Sequence, residues 1–154
     1  MDEIISVDLD NDGFNDEIFA SVSGYIYALD NNSELLWNFS KLNFGDTIVS
    51  LKANDVNDDG NIEIIAGGYD GVLWIVSNNG TLLFEYNTQN GYIGSSDSGK
   101  SQSIDSADVN ADGILDVGFI IYNDSVFTAQ TVNCVAEFND SSVYNMTWNN
   151  TLRK

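Results

Sequence analysis

Short runs of alternating apolar and polar residues, broken by small polar ones, make up most of this chain. EIFASV (17–22), YIYALD (25–30) and LLWNF (35–39) are rich in β-branched and aromatic residues, and Gly, Asn, Asp and Ser separate them. That pattern predicts strands, and no segment sustains the 3.6-residue period of an amphipathic helix. TIVSLKAN (47–54) adds a fourth strand. Between the strands, NNSE (31–34) and NNGT (78–81) hold residues that tolerate the left-handed dihedrals of tight turns.

The pattern repeats. GYIYALDNNSELLWNFS (24–40) aligns without a gap with GVLWIVSNNGTLLFEYN (71–87) and with DSVFTAQTVNCVAEFND (124–140). Tyr27, Trp74 and Phe127 coincide, and Trp37 coincides with Phe84. An acidic stretch precedes each copy: VDLDNDGFNDEI (7–18), NDVNDDGNIEII (54–65) and ADVNADGILDVG (107–118). Their first acidic residues, Asp8, Asp55 and Asp108, are spaced by 47 and 53 residues. Each unit therefore reads as strand, acidic loop, strand, tight turn, strand, turn, strand. Four antiparallel strands in a unit of this length predict an all-β fold of β-propeller blades. The blades fall at about 1–43, 44–92 and 93–140 of a single domain spanning 1–154. The tail, 141–154, either starts a fourth blade or supplies a closing strand. Three blades are fewer than the about 4–8 that close a ring, so the expectation is a partial propeller. Open arcs expose sheet edges and the apolar faces of their end blades. Further blades are therefore expected from a longer parent chain or from another chain.

Composition narrows the function. The 154 residues are 43 % hydrophobic and 12 % aromatic, which suits a packed core. Five Lys+Arg stand against 24 Asp+Glu, a formal charge of -19. That surface repels phosphate backbones, so no nucleic-acid partner is expected. The single cysteine, Cys134, allows no internal disulfide and reads as a small buried apolar residue. No histidine is present, which removes the commonest general base and transition-metal ligand. No run is long and apolar enough to span a bilayer, so direct membrane insertion is not expected of this segment. Asp2 and Glu3 follow Met1 where a signal peptide would be basic and then apolar. A secreted parent would carry its signal elsewhere, and the chain reads as a piece of something longer.

The crowded carboxylates are the main chemical signal. Counted from the first Asp of each loop, positions 1, 3 and 5 are Asp8, Asp10 and Asp12; Asp55, Asn57 and Asp59; Asp108, Asn110 and Asp112. Position 6 is Gly13, Gly60 or Gly113, and position 9 is Asp16, Glu63 or Asp116. Alternating oxygen side chains, a glycine for the sharp turn and a closing carboxylate match the needs of Ca2+, which takes 6–8 hard oxygen ligands. The backbone carbonyl at position 7 (Phe14, Asn61, Ile114) would add another, as in related loops. Mg2+ prefers few protein ligands, and zinc prefers nitrogen or sulfur. An EF-hand would need a Glu at position 12, where Phe19, Ala66 and Phe119 stand, and helices where β-branched runs stand. The expectation is up to three Ca2+, with extracellular-grade Kd values of roughly 10⁻⁴–10⁻³ M. Three dications would bring the formal charge from -19 to -13.

On these residues the chain resembles a family. NFGDTIVSLKANDVNDDGNIEIIAGG (43–68) is similar to the FG-GAP repeat of integrin α-subunit propellers and of VCBS-type proteins. Phe44-Gly45 stands where that repeat has FG, and Ala66-Gly67-Gly68 where it has GAP, without the proline. The resemblance implies that Ca2+ rigidifies hairpin loops on one propeller face, with ligand contacts on the opposite face or rim. GYIYALDNNSELLWNF and GVLWIVSNNGTLLFEYN also resemble quinoprotein-type (PQQ-like) propeller repeats, a likeness that mostly reports blade geometry. No converging charged set for a quinone is present.

The functional expectation is a Ca2+-binding propeller module of an extracellular or cell-surface protein. It would bind a protein or carbohydrate ligand, or serve adhesion, without catalysis. No nucleophile–base pair or acid/base carboxylate pair stands outside the metal loops. The alternative is an accessory or substrate-shaping part of a carbohydrate-active enzyme such as a polysaccharide lyase. Sequons at Asn31, Asn38, Asn79, Asn123, Asn139, Asn145 and Asn149 fit a secreted glycoprotein.

Overall fold

The computed structural model describes residues 4–40, 47–87, 92–93, 104–108, 111, 113, 115–122, 131–136 and 144–148; at 92, 120–122, 131–136 and 144–148 the description concerns the backbone alone. All regular structure among these residues is β, in three antiparallel sheets that do not close into a barrel. This is a partial propeller of four-stranded blades.

Blade 1 runs β1 (Ile4–Val7), β2 (Asp16–Ala20), β3 (Ile26–Leu29), β4 (Leu35–Phe39), each hydrogen-bonded to the next. Blade 2 repeats it with β5 (Ile48–Asn54), β6 (Glu63–Gly68), β7 (Val72–Val76) and β8 (Leu82–Asn87). The two turns predicted at 31–34 and 78–81 connect the third and fourth strands. Asp30 caps the first by accepting the Asn32 and Glu34 N–H groups, and Ser77 Oγ accepts the Thr81 N–H in the second. A bulge next to each turn, at Ala28/Leu29 and Ile75/Val76, recurs in both blades.

Alternation along β6 and β7 divides the core in two. Ile64, Ala66, Val72, Trp74 and Val76 join blade 1 residues Ile18, Ala20, Ile26 and Ala28 in one cluster. Ile65, Leu73 and Ile75 join Ile93, Ile104, Val117 and Phe119 of the third sheet in another. The middle blade is thus covered on both faces, and β6 and β7 are buried at every position. This explains their near-continuous apolar sequences, which a one-sided strand would not need. Trp37 Nε1–H donates to the Asn78 carbonyl at 2.7 Å between blades 1 and 2. Between blades 2 and 3, Lys52 pairs with Asp105 at 2.9 Å and Asn54 Nδ2–H donates to Ser106 Oγ at 2.9 Å.

The third sheet shows where the longer repeat spacing goes. Its first strand is split into β9 (Tyr92–Ile93) and β10 (Ile104–Ala107), both paired to β11 (Asp116–Tyr122). The six extra residues of the second spacing fall between 87 and 104, where the alignment breaks. β9 fits because β6 has glycine there. A Cβ on Gly67 would lie 2.6 Å from Ile93 Cγ2 and 3.0 Å from Ile104 Cδ1. The sheet is completed by β12 (Thr131–Ala136) and β13 (Tyr144–Trp148). The gapless alignment had put the third strand near 126–129 and the fourth near 135–139. Both lie downstream of that, and the fourth comes from within 141–154. Asp124 stands where the other units have the turn glycine.

Candidate metal centre

Each acidic loop connects the first two strands of a blade, and the closing strand pair sets its width. Val7 opposes Asp16 in blade 1, Asn54 opposes Glu63 in blade 2, and Ala107 opposes Asp116 in the third sheet. Position 9 therefore lies beside position 1 at the loop mouth. The backbones agree closely. Position 4 is left-handed in all three (Asn11 φ 61°, Asp58 φ 57°, Ala111 φ 63°), and so is the glycine at position 6 (Gly13 φ 91°, Gly60 φ 85°, Gly113 φ 93°). An alanine at φ 63° carries steric strain, so the loop conformation is enforced even where its residue disfavours it.

The carboxylates hold this shape through backbone amides. Asp8 accepts the Asp12 N–H at 3.1 Å and the Gly13 N–H at 3.0 Å, one on each oxygen. Asp55 does the same for Asp59 (3.2 Å) and Gly60 (2.9 Å), and Asp108 accepts the Gly113 N–H at 3.0 Å. Position 3 also accepts the position 5 N–H, from Asp10 in loop 1 and Asn57 in loop 2. Position 5 turns onto the next amide: Asp12 accepts the Phe14 N–H and Asp59 the Asn61 N–H, each at 2.8 Å.

Position 2, which the sequence reading did not single out, anchors the loop. Leu9 and Val56 are fully buried, Leu9 in the core between blades 1 and 2 and Val56 in the core between blades 2 and 3. Their N–H groups donate to the position 9 carboxylates, Leu9 to Asp16 Oδ2 at 2.9 Å and Val56 to Glu63 Oε2 at 3.1 Å. An apolar residue inside each acidic run (Leu9, Val56, Val109) was the available signal.

In loop 1, Asp8, Asp10 and Asp16 each bring a carboxylate oxygen within 4.8 Å of the others. No other three acidic residues come so close among the described residues. Asp16 is 0 % exposed, and its Oδ1 has no hydrogen-bond partner. Burial pushes the Asp16 carboxyl above its ordinary range against the Leu9 N–H, and the charges of Asp10 and Asp12 push it further. A buried, unsatisfied anion beside two further anions is costly without a cation. The all-oxygen donor set fits a hard cation such as Ca2+.

Loop 2 is arranged differently. Glu63 is longer than Asp16, and the Asn57 amide reaches Asp59 Oδ2 at 3.1 Å and Glu63 Oε1 at 3.5 Å. A neutral donor thus bridges two carboxylates. Burial still pushes Glu63 up to about 7, with the Asp59 and Asp55 charges adding to it. Asn11 Nδ2–H donates to Asn61 Oδ1 at 3.5 Å, so loops 1 and 2 touch. In loop 3, Asp108 and the buried Asp116 hold the equivalent positions. Asn110, Asp112 and Ile114 lie outside the described residues, as do Phe44-Gly45 and the sequons at Asn123, Asn139 and Asn149.

Residues 55–119 match the family described as an FG-GAP-like repeat. The match begins at the first carboxylate of loop 2 and ends on β11 after loop 3. It includes Ala66-Gly67-Gly68, whose middle glycine admits β9 and β10 against the sheet. No curated protein matches the chain.

Proposed function

We propose that this FG-GAP-like chain is a Ca2+-binding β-propeller module, acting without catalysis in ligand binding or adhesion outside the cell or at its surface. The observation that carries the reading is the fully buried Asp16 carboxylate, with one oxygen lacking a partner and Asp8 and Asp10 within 4.8 Å. Asp8, Asp10 and Asp16 would hold the ion in loop 1. Asp55, Asn57 and Glu63 would do so more weakly in loop 2, where the Asn57 amide already bridges Glu63 and Asp59. A bound dication supplies charge neutralisation and ties the start of β2 to the loop. The residues themselves fix the turn, exclude water with Leu9 and Val56, and orient the closing carboxylates. Millimolar Ca2+ outside cells suits sites of this grade, and the sequons at Asn31 and Asn79 sit on exposed turns. Thermal melts in chelator, Mg2+ and Ca2+ test the reading. At 10 mM Ca2+ and a Kd of roughly 10⁻⁴–10⁻³ M, one site stabilises by about 1.4–2.7 kcal/mol. A melt unchanged between chelator and Ca2+ overturns it.

A further inference from the structure

The acidic loops carry apolar residues at two places that no ion needs, position 2 (Leu9, Val56) and position 8 (Ile62, Leu115), and these reach into the cores between blades. Leu9 of loop 1 is 0 % exposed and belongs to the core that blade 1 shares with Leu51, Ile64 and Trp74 of blade 2. Ile62 of loop 2 packs against that same core from the other blade. The next interface repeats the arrangement. Val56 of loop 2 is fully buried between blade 2 and the third sheet, and Leu115 of loop 3 packs against that core. Loops 1 and 2 also meet at the surface, where Asn11 Nδ2–H donates to Asn61 Oδ1 at 3.5 Å.

At the closing carboxylate these contacts join the candidate ion site. The Leu9 N–H donates to Asp16 Oδ2 at 2.9 Å, which leaves Asp16 Oδ1 buried without a partner. One residue thus holds the closing carboxylate with its backbone and blade 2 with its side chain. Val56 stands in the same relation to Glu63, at 3.1 Å, and to the third sheet.

We propose that Leu9 is the positioning residue through which blade 2 sets the Ca2+ affinity of loop 1, and that Ca2+ in loop 1 in turn holds blade 1 against blade 2. This rests on the Ca2+ reading of loop 1 given above. Undocking blade 1 takes Leu9 out of the shared core and loosens its N–H from Asp16, so the undocked form binds the ion worse. The two effects are one coupling seen from either side, and each requires the other.

Calorimetric titration of Ca2+ into chelator-stripped wild type, Leu9→Ala, Leu9→Val and Ile26→Ala tests the first half, with circular dichroism to check folding. Ile26 is as fully buried in the same core as Leu9 but lies on β3, outside the acidic loops. Leu9→Ala should raise the Kd at least several-fold, Leu9→Val should restore most of the affinity, and Ile26→Ala should keep the wild-type Kd. The second half needs no variant, and decides even if neither alanine variant folds. Trp37 Nε1–H of blade 1 donates to the Asn78 carbonyl of blade 2, so its hydrogen exchange, followed by NMR, reports docking. At 10 mM Ca2+ and a Kd of roughly 10⁻⁴–10⁻³ M, that exchange should be about 10–100-fold slower than in chelator. A wild type that takes up no Ca2+ overturns the metal reading and this inference together. Ca2+ uptake with an unchanged Trp37 exchange rate, a Leu9→Ala Kd equal to the wild type's, or an equal loss in Ile26→Ala overturns this inference alone and leaves the metal site standing.

Discussion

Glu63→Gln isolates the electrostatics of an acidic loop. The Glu63 side chain is buried, accepts the Val56 N–H at 3.1 Å, and has its carboxyl pushed up to about 7 from an ordinary 4.5, first by burial and then by Asp59 and Asp55. A group whose pKa is raised on folding favours the folded state while protonated. Its contribution is therefore complete below pH 4.5 and is lost as pH rises through 7. The gap of about 2.5 pH units, at about 1.36 kcal/mol each, puts the cost of the charged form near 3 kcal/mol, to order of magnitude. Glutamine keeps an oxygen for the Val56 N–H and carries no charge. In chelator at pH 8, Glu63→Gln should melt above the wild type by roughly 6–12 °C, taking about 2–4 °C per kcal/mol for a chain of this size. Near pH 4.5 the two melts should converge. Saturating Ca2+ should narrow or reverse the gap at pH 8, because an amide oxygen is a poorer ligand than a carboxylate. Melts followed by circular dichroism from pH 4.5 to 8.5 read all of this. A wild type more stable than the variant at pH 8 in chelator, or a difference that ignores pH, would refute the reasoning.

Packing predictions follow from the glycine and tryptophan contacts. Gly67→Val should destabilise by about 1–3 kcal/mol in chemical denaturation, since the buried Ile93 and Ile104 leave no room for a Cβ. Gly118→Ala should be nearly neutral, because among the described residues its Cβ would meet nothing nearer than the Asp105 carbonyl at 3.8 Å. Trp37→Phe should cost about 1 kcal/mol by leaving the Asn78 carbonyl without its 2.7 Å donor, read as a lower denaturant midpoint with unchanged slope.

Much of this architecture was legible because its signals are local. Period-two runs gave β2, β3 and β4, and the loops announced themselves through Asp–Gly spacing and a left-handed glycine. Tertiary choices were not legible. Asp8, Asp10, Asp12 and Asp16 look alike in sequence, yet Asp12 turns onto the Phe14 amide while the other three converge. That outcome depends on the consecutive turns through Asn11 and Gly13. The shift of β12 and β13 was hidden because a gapless alignment carries the spacing of the first two units onto a unit that has Asp124 where they have glycine. The split into β9 and β10 was hidden because it depends on Gly67, in a different blade, making space. Nor did the apolar residues of blade 1 reveal which face another blade covers; only the register of β6 and β7 between two partners showed it.

Calorimetric titration of Ca2+ into chelator-stripped protein, run beside Asp16→Asn, tests the central claim most directly. The account predicts saturable binding with a tightest Kd of roughly 10⁻⁴–10⁻³ M, and loss of that site in a folded Asp16→Asn variant. A folded wild type that takes up no Ca2+, or a variant whose isotherm is the same, would contradict it.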